Sequence, residues 1–330
     1  MFKLTKILFI FLFIILNKNE YHFKYYIKCF LDIKIISIII PVFNAEKNLE
    51  ECLNTVINQT LTNIEIICID DGSTDNSTKI LEIFNKKDDR FVIVNQINKG
   101  SGFSRNVGIK ISKGKFVSFF DSDDLYFNNF ALESLYNKAI ENNALICGGG
   151  MKKLDEDRNS SIYEEVAFQK EGFIKYIDYQ KDFDYQRYIY NRNFLKRNKI
   201  YFPQYTRYQD PPFFINAMNK AKKFYTINNF TYIYRYKFKT LNLEQVIDMF
   251  YGLNDCLKLG EKLHLYKLYN LSLHRLNSGM FLKRIKIFIQ NKKLKEVISK
   301  IIQNINKNII KQENINFTIN KMYNDIVLEL

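Results

Sequence analysis

The feature that most narrows the fold is a rhythm of short apolar runs, each followed by a helical stretch. Ile35-Ile36-Ser37-Ile38-Ile39-Ile40 is closed by Pro41. It is too short for a helix and too evenly apolar for a half-exposed strand, so it reads as a strand buried on both faces. Ala45 to Asn58 follows, with Leu49, Leu53, Val56 and Ile57 at the spacing of a helix packed by one face. The rhythm repeats: a strand over Ile64 to Ile69 and a helix over Thr74 to Lys87, then a strand over Phe91 to Val94 and a helix opened by Gly100-Ser101-Gly102. A strand over Phe116 to Phe120, a helix over Phe127 to Asn142 and a strand over Ala144 to Gly149 complete it. Such alternation predicts an α/β fold with a mostly parallel sheet between layers of helices. Ligands of such sheets collect beyond the carboxyl ends of the strands. Asn44, Asp71 and Asp123 each fall just past one of those ends.

The pattern sets provisional boundaries. Residues 33–240 read as one domain, with a regular first half (33–150) and a second half (151–240) that starts loosely. Lys152 to Lys199, rich in Tyr, Asp, Arg and Lys, reads as a variable, loop-rich segment lying over the sheet. Order returns at Arg207 to Phe214 and at the strand-like Tyr232 to Tyr236. Residues 241–330 read as helical, with Leu294, Val297, Ile298, Ile301, Ile302, Ile305 and Ile309 at helical spacing among lysines. That stripe either packs on the preceding domain or lies on an anionic membrane surface. Residues 1–32 form a leader in which Ile7 to Leu16 is unbroken apolar sequence behind Lys3 and Lys6. A spanning helix needs about 20 apolar residues, so this run is too short to cross a membrane alone. It fits sequence upstream of a later start, or a weak membrane contact.

Composition excludes several classes. Hydrophobic residues make up 47% of 330 residues, so the chain can bury a full core. The net charge of +14 comes overwhelmingly from Lys, with Arg at only ten positions, and accompanies an abundance of Ile, Asn, Phe and Tyr. That looks like the codon bias of an AT-rich genome, not a selected nucleic-acid surface, and no nucleic-acid partner is expected. Cys29, Cys52, Cys68, Cys147 and Cys256 are isolated, which excludes a disulfide framework or zinc site and fits a reducing cytosol. His22, His264 and His274 lack metal-ligand spacing, and no Ser/His/Asp or Cys/His set suggests covalent catalysis.

Chemistry concentrates at the strand ends. In Asp121-Ser122-Asp123-Asp124 the carboxylates repel one another unless a cation sits beside them. Hard oxygen ligands suit Mg²⁺ or Mn²⁺, although an Asp-rich solvated turn has the same composition. Asp70-Asp71-Gly72-Ser73-Thr74-Asp75 can cap the next helix through Thr74, or present a carboxylate to a nucleobase or ribose. Arg105, near a helix start, can face phosphate oxygens or form a surface ion pair.

In order, Pro41-Val42-Phe43-Asn44, Asp70 to Asp75, Gly102-x-x-Arg105-Asn106-x-Gly108 and Asp121 to Asp124 resemble the family 2 glycosyltransferases of the GT-A fold, over about Lys34 to Tyr236. The resemblance implies a Rossmann-like GT-A domain with a helical C-terminal extension. It implies an inverting enzyme that uses a nucleotide-diphosphate sugar, a UDP-sugar first among them, and a divalent metal, Mn²⁺ or Mg²⁺. Pro41, Phe43, Asn44 and Asp71 would then line the nucleoside pocket, with Asp71 facing the base. Arg105, with Asn106 beside it, would lie near the diphosphate, and Asp121 and Asp123 would contact the donor. The metal would fall to Asp123 together with Asp121 or Asp124. The family's Glu-Asp pair is Gln209-Asp210 here, so its first carboxylate is an amide and Asp210 is the general base. As Asp before Pro, Asp210 is also expected to be an N-cap with a lowered pKa. The implied acceptor is a surface glycan or lipid-linked saccharide, and the implied location is cytoplasmic, either free or peripheral on the inner membrane face. A non-catalytic nucleotide-sugar-binding module is the rival.

Overall fold

The computed structural model describes residues 34–155, 161–236 and 240–328, so expectations for the leader 1–32 lie outside the described residues. The strands are β1 (Ile36–Val42), β2 (Ile64–Asp70), β3 (Phe91–Asn95), β4 (Phe116–Phe119), β5 (Leu125–Tyr126), β6 (Ile146–Asp155), β7 (Ser161–Val166), β8 (Gly172–Lys175), β9 (Tyr188–Asn191) and β10 (Lys223–Tyr236). Eight run in the order β3-β2-β1-β4-β9-β6-β10-β5, while β7 pairs with β6 and β8 with β10. β3, β2, β1 and β4 are parallel, as are β6 and β10; β9 enters between them antiparallel to both neighbours. Every residue of β1 and β2 is buried. Ile36, Ile38 and Ile40 face one apolar cluster and Ile39 the other, the two-residue alternation of a strand covered on both faces.

The helices on this sheet are α1 (Leu49–Ile57), α2 (Ser77–Lys87), α3 (Ser101–Ile111), α4 (Ala131–Glu141), α5 (Tyr176–Tyr179), α6 (Arg192–Arg197) and α7 (Asp210–Ala221). α3 lies close against the sheet. A Cβ built on Gly108 would lie 2.4 Å from Ile39 Cγ2, so only glycine lets the helix backbone settle there. The first helix starts at Leu49, after a turn closed on Ala45, and the second starts at Ser77 and not at Thr74.

The segment Lys152 to Lys199 departs from expectation. It holds the end of β6, then β7, β8, α5, a 3₁₀ turn over Tyr185–Arg187, β9 and α6. Four of its tyrosines are core residues: Tyr176, Tyr185, Tyr188 and Tyr190 are at most 1% exposed. Aromatic bodies fill the interior while their hydroxyls find partners, so a polar composition concealed a buried strand. The short β5, which pairs with β10, ends just before Phe127, and the helix that the sequence places from Phe127 starts only at Ala131.

Beyond residue 240 the chain is helical as expected: α8 (Leu243–Lys262), α9 (Tyr266–Leu276), α10 (Gly279–Phe288), α11 (Lys292–Gln303), α12 (Lys307–Gln312) and α13 (Lys321–Leu328). The apolar stripe from Leu294 to Ile309 packs inward, with Leu294, Val297, Ile298, Ile301, Ile305 and Ile309 buried in a core shared with α8 and α9. Packing and not a membrane surface is thus its fate. Among the described residues no helix is long and apolar enough to cross a membrane.

Candidate active site

The loops after β1 and β2 are stitched together. Asn44, in the left-handed region at φ 48°, donates its N–H to Ser73 Oγ (3.1 Å) and accepts from the Thr74 N–H through Oδ1 (2.8 Å). Asp70 secures the second loop, accepting from the Ser73 N–H (2.9 Å) and the Thr78 hydroxyl (2.5 Å). Phe43, half exposed at 49%, stands at the rim while Pro41 lies buried in β1. Asp71 is only 3% exposed. It accepts from Gln96 Nε2 (2.6 Å) and from the N–H groups of Lys99 (2.9 Å) and Gly100 (2.8 Å). Gly100 meets it at φ 88°, a backbone that only glycine adopts easily. Asp71 therefore fixes the entrance to α3.

Arg105, one turn into α3, is the hub. Its guanidinium is buried, donating to Asp121 Oδ1 (2.6 Å), to Asp210 Oδ1 (3.3 Å) and to Ser101 Oγ (3.3 Å). The rings of Tyr185 and Phe202 lie 5.1 and 5.3 Å from its centre, within range of a cation–π contact. Burial opposes its charge, but Tyr185, Asp121 and Asp210 more than compensate and hold its pKa above the ordinary arginine value. Next to it, Asn106 spends its amide on the backbone of Phe202, donating to the carbonyl (2.8 Å) and accepting from the N–H (2.9 Å). This clamp fixes the ring on which Arg105 rests.

The acidic run leaves β4 and divides. Asp121 accepts from Arg105, from the Tyr185 hydroxyl (3.4 Å) and, through Oδ2, from Gln186 Nε2 (3.0 Å). Asp124 is fully buried, with Oδ2 accepting from the Tyr232 hydroxyl (2.7 Å) and Oδ1 from the Arg235 N–H (2.7 Å). Burial, then the charges of Asp123 and Asp121, push its pKa well up. Asp123 stands between them, half-buried. Among the described residues no three His, Cys, Asp or Glu side chains gather tightly enough to hold an ion themselves. The donor set of hard carboxylate oxygens still suits Mg²⁺ or Mn²⁺, which complete a shell with substrate phosphate and water.

Asp210 closes the site from the other side. It is the first residue of α7 with Gln209 at the cap position, and the cap makes no side-chain hydrogen bond. The expectation of an N-cap with a lowered pKa is overturned. Burial dominates and raises its pKa, Asp121 adds to the rise, and Arg105 and Arg207 oppose it. Gln209 is buried, donating from Nε2 to Ser101 Oγ (2.9 Å), while its Oε1 has no partner. The α3 start, the β4 end and the α7 start thus meet around one guanidinium.

A model of the family described as "Glycosyl transferase family 2" matches residues 37–241, more than half of the chain. The chain belongs to the family 2 glycosyltransferases. It is 31% identical over 212 residues to the uncharacterized glycosyltransferase EpsJ of Bacillus subtilis, covering 62% of this chain and 61% of EpsJ. It is 36% identical over 208 residues to a poly(ribitol-phosphate) beta-glucosyltransferase of Bacillus spizizenii, covering 61% of this chain and 32% of that protein. The match thus spans less than two thirds of either relative. Among solved structures, S. aureus TarS 1–349 in complex with UDP-GlcNAc superposes with a TM-score of 0.69 at 20% identity, covering 89% of this chain and 91% of TarS 1–349. At that identity the likeness concerns the fold, which is GT-A.

The sequence of this family 2 member announces Asp121, Asp123, Arg105 and Asp210, and three of these, Arg105, Asp121 and Asp210, are joined directly. It does not announce Ser101, Tyr185, Gln186, Phe202 or Tyr232. Ser101 is the first residue of α3, Tyr232 lies within β10, and Tyr185, Gln186 and Phe202 come from the irregular segments, where no local motif marks them. Only the cluster of Tyr and Phe around residues 185–202 was a signal.

Proposed function

We propose that this family 2 member is an inverting glycosyltransferase that moves a sugar from a UDP-sugar or related donor to an acceptor hydroxyl of a surface glycan or lipid-linked saccharide. The observation that carries the reading is the bridge of Arg105 between Asp121 and Asp210. One cation ties the strand end where a donor diphosphate belongs to the helix start where a base belongs.

The assigned roles follow from position. Phe43, Asn44 and Pro41 line the nucleoside side, with Phe43 offering an exposed ring for stacking. Asp71 and Asn106 shape that pocket by holding Gly100 and Phe202. Asp121 and Asp123 would hold a divalent cation against the diphosphate, and Asp124 anchors the run to β10. The bound ion would neutralise charge on the leaving group. Asp210 takes the proton from the acceptor hydroxyl as that oxygen attacks the anomeric carbon. A carboxylate with a raised pKa is a stronger base than a surface aspartate, and a positioned base contributes about 10²–10⁴-fold. Attack from the side opposite the leaving diphosphate inverts the centre.

The test is release of UDP from UDP-sugars, with binding of UDP followed separately by thermal stabilisation. Asp210→Asn is expected to bind UDP with Mn²⁺ as the wild type does and to lose about 10²-fold or more in turnover. Asp123→Ala is expected to lose Mn²⁺-dependent stabilisation as well. Full turnover by Asp210→Asn would remove the base from the mechanism.

A further inference from the structure

Arginine is scarce here, at ten of 49 basic residues, so where it occurs is informative. Most described arginines donate to an oxygen partner. Arg90 reaches Asp88, Arg105 its two aspartates, Arg187 carbonyls and tyrosine hydroxyls, Arg192 the carbonyls of Ser112 and Gly114, Arg235 Glu51, and Arg275 Asp182. Arg197, Arg207 and Arg284 break the pattern, and of these Arg207 and Arg284 come together against α8 and α10. Among the described residues Arg207 has no hydrogen bond or ion pair, and Arg284 donates only to Met249 Sδ (3.0 Å).

The pair sits at the base side of the site. Arg207 lies three residues before Asp210 on a segment pinned at both flanks. Thr206 donates its N–H and its hydroxyl to Asp248 Oδ2 on α8, each at 2.7 Å. Tyr208, at φ 65°, packs edge-on against Phe281 of α10 (6.0 Å), and its carbonyl oxygen lies 2.4 Å from where a Cβ on Gly252 would be. Arg207 is thus held, exposed, beside Asp210, whose pKa its charge lowers. Arg284, half-buried on α10, is depressed by burial and then by Arg207. Both arginines are thus gathered against residues 248–249 of α8, and among the described residues neither forms an ion pair; like charges brought near one another repel, and an anion bound by both relieves that repulsion.

We propose that Arg207 and Arg284 form an anion subsite on the rim beside Asp210 that takes a phosphate group carried by the acceptor. The inference rests on the glycosyltransferase reading for the word acceptor, but the subsite itself does not. A pair of guanidinium forks matches phosphate oxygens better than lysine ammonium groups do. The donor diphosphate belongs at the β4 end with Asp121 and Asp123, whereas this pair flanks the residue that meets the incoming hydroxyl. A phosphate seated there would orient an acceptor whose hydroxyl lies within one saccharide or polyol unit of it.

The experiment titrates glycerol 3-phosphate, as a phosphate monoester probe, into the full chain saturated with UDP and Mg²⁺. Binding is expected in the wild type and about tenfold weaker in Arg207→Gln and in Arg284→Gln, the loss of one charged hydrogen-bonding partner. UDP affinity should be unchanged in both. Lys258→Gln, which removes the same charge from an exposed site on α8, should leave probe binding intact. Three outcomes overturn the proposal: probe binding by either arginine variant as tight as the wild type's, an equal loss in Lys258→Gln, or a fall in UDP affinity in place of probe affinity. The last would assign the pair to the donor. If the wild type binds the probe but no UDP, the subsite stands and the glycosyltransferase reading falls.

Discussion

Arg105→Met tests whether the guanidinium holds the site together by charge. Methionine keeps the unbranched stem between Tyr185 and Phe202 and deletes only the charged end. In the wild type that end pairs with Asp121 at 2.6 Å and Asp210 at 3.3 Å, while its own side chain is 5% exposed and the carboxylates are 22% and 28% exposed. Removing one partner of a buried pair costs about 3–5 kcal/mol, because the other is left uncompensated. Here the stranded carboxylates can draw some water, so the lower end, about 3 kcal/mol, is expected. The sign with pH follows from Asp210. Its folded pKa is already above the unfolded value, and loss of Arg105 raises it further. A raised carboxyl destabilises the fold as pH rises through the interval between the two values. The deficit should therefore be large at pH 8 and shrink as the pH falls toward 5. Urea midpoints of wild type and variant at the two pH values measure this. Adding Asp121→Asn and Asp210→Asn to Arg105→Met should restore much of the loss, since neutral amides need no counter-charge. A loss below about 1 kcal/mol, or one independent of pH and unrelieved by the amides, would refute the charge account and leave Arg105 as packing.

Further predictions concern separate parts of the structure. Asp124→Ala should destabilise the fold by about 2–3 kcal/mol by stranding the buried Tyr232 hydroxyl and the Arg235 N–H, and thermal melts without ligand would register it. An unchanged melt would mean the Asp124 contacts carry no stability. Gly108→Ala forces a Cβ within 2.4–2.9 Å of Ile39 side-chain atoms, so a loss of about 1–3 kcal/mol is expected in the same melts. For turnover, the raised pKa of Asp210 places the acid limb of the kcat/KM profile above the ordinary aspartate range. Activity should fall as Asp210 takes its proton, and a limb at or below pH 4 would show that the carboxyl is not the titrating base.

The first half of the domain was legible because its strands are buried on both faces and its helices on one. Those periods do not depend on distant residues. The Ile-rich runs at 36–42 and 64–70 had no other structural option. β9 was not legible for the opposite reason. Tyr188, Tyr190 and Arg187 look like surface residues in sequence, yet Arg187 is 1% exposed, answered by carbonyls and hydroxyls from four other positions or neighbours. Such burial is decided by partners far along the chain, as at Gly149 and Val166. The site shows the same division. Asp121 and Asp210 are identifiable as residue types at the right places, but the direction of the Asp210 pKa shift is not. Its helix position was visible in sequence, whereas the burial that overrides the helix start was not.

The amide at 209 gives the last step its direction. Gln209 is 4% exposed, and its Nε2 and Arg105 Nη1 both donate to the single oxygen of Ser101, at 2.9 and 3.3 Å. A glutamate here would place a further buried anion beside a cation already shared by Asp121 and Asp210. It would draw Arg105 toward Ser101 and away from the base, and would raise the pKa of Asp210 beyond the effect of burial. With glutamine the full charge of Arg105 is left for the two aspartates. The exchange of acid for amide thus acts on the same quantity as the exposed Arg207, whose charge also lowers the pKa of Asp210. Both work against the rise that burial imposes on this carboxyl and so favour its ionised form, the form that accepts a proton from an incoming hydroxyl.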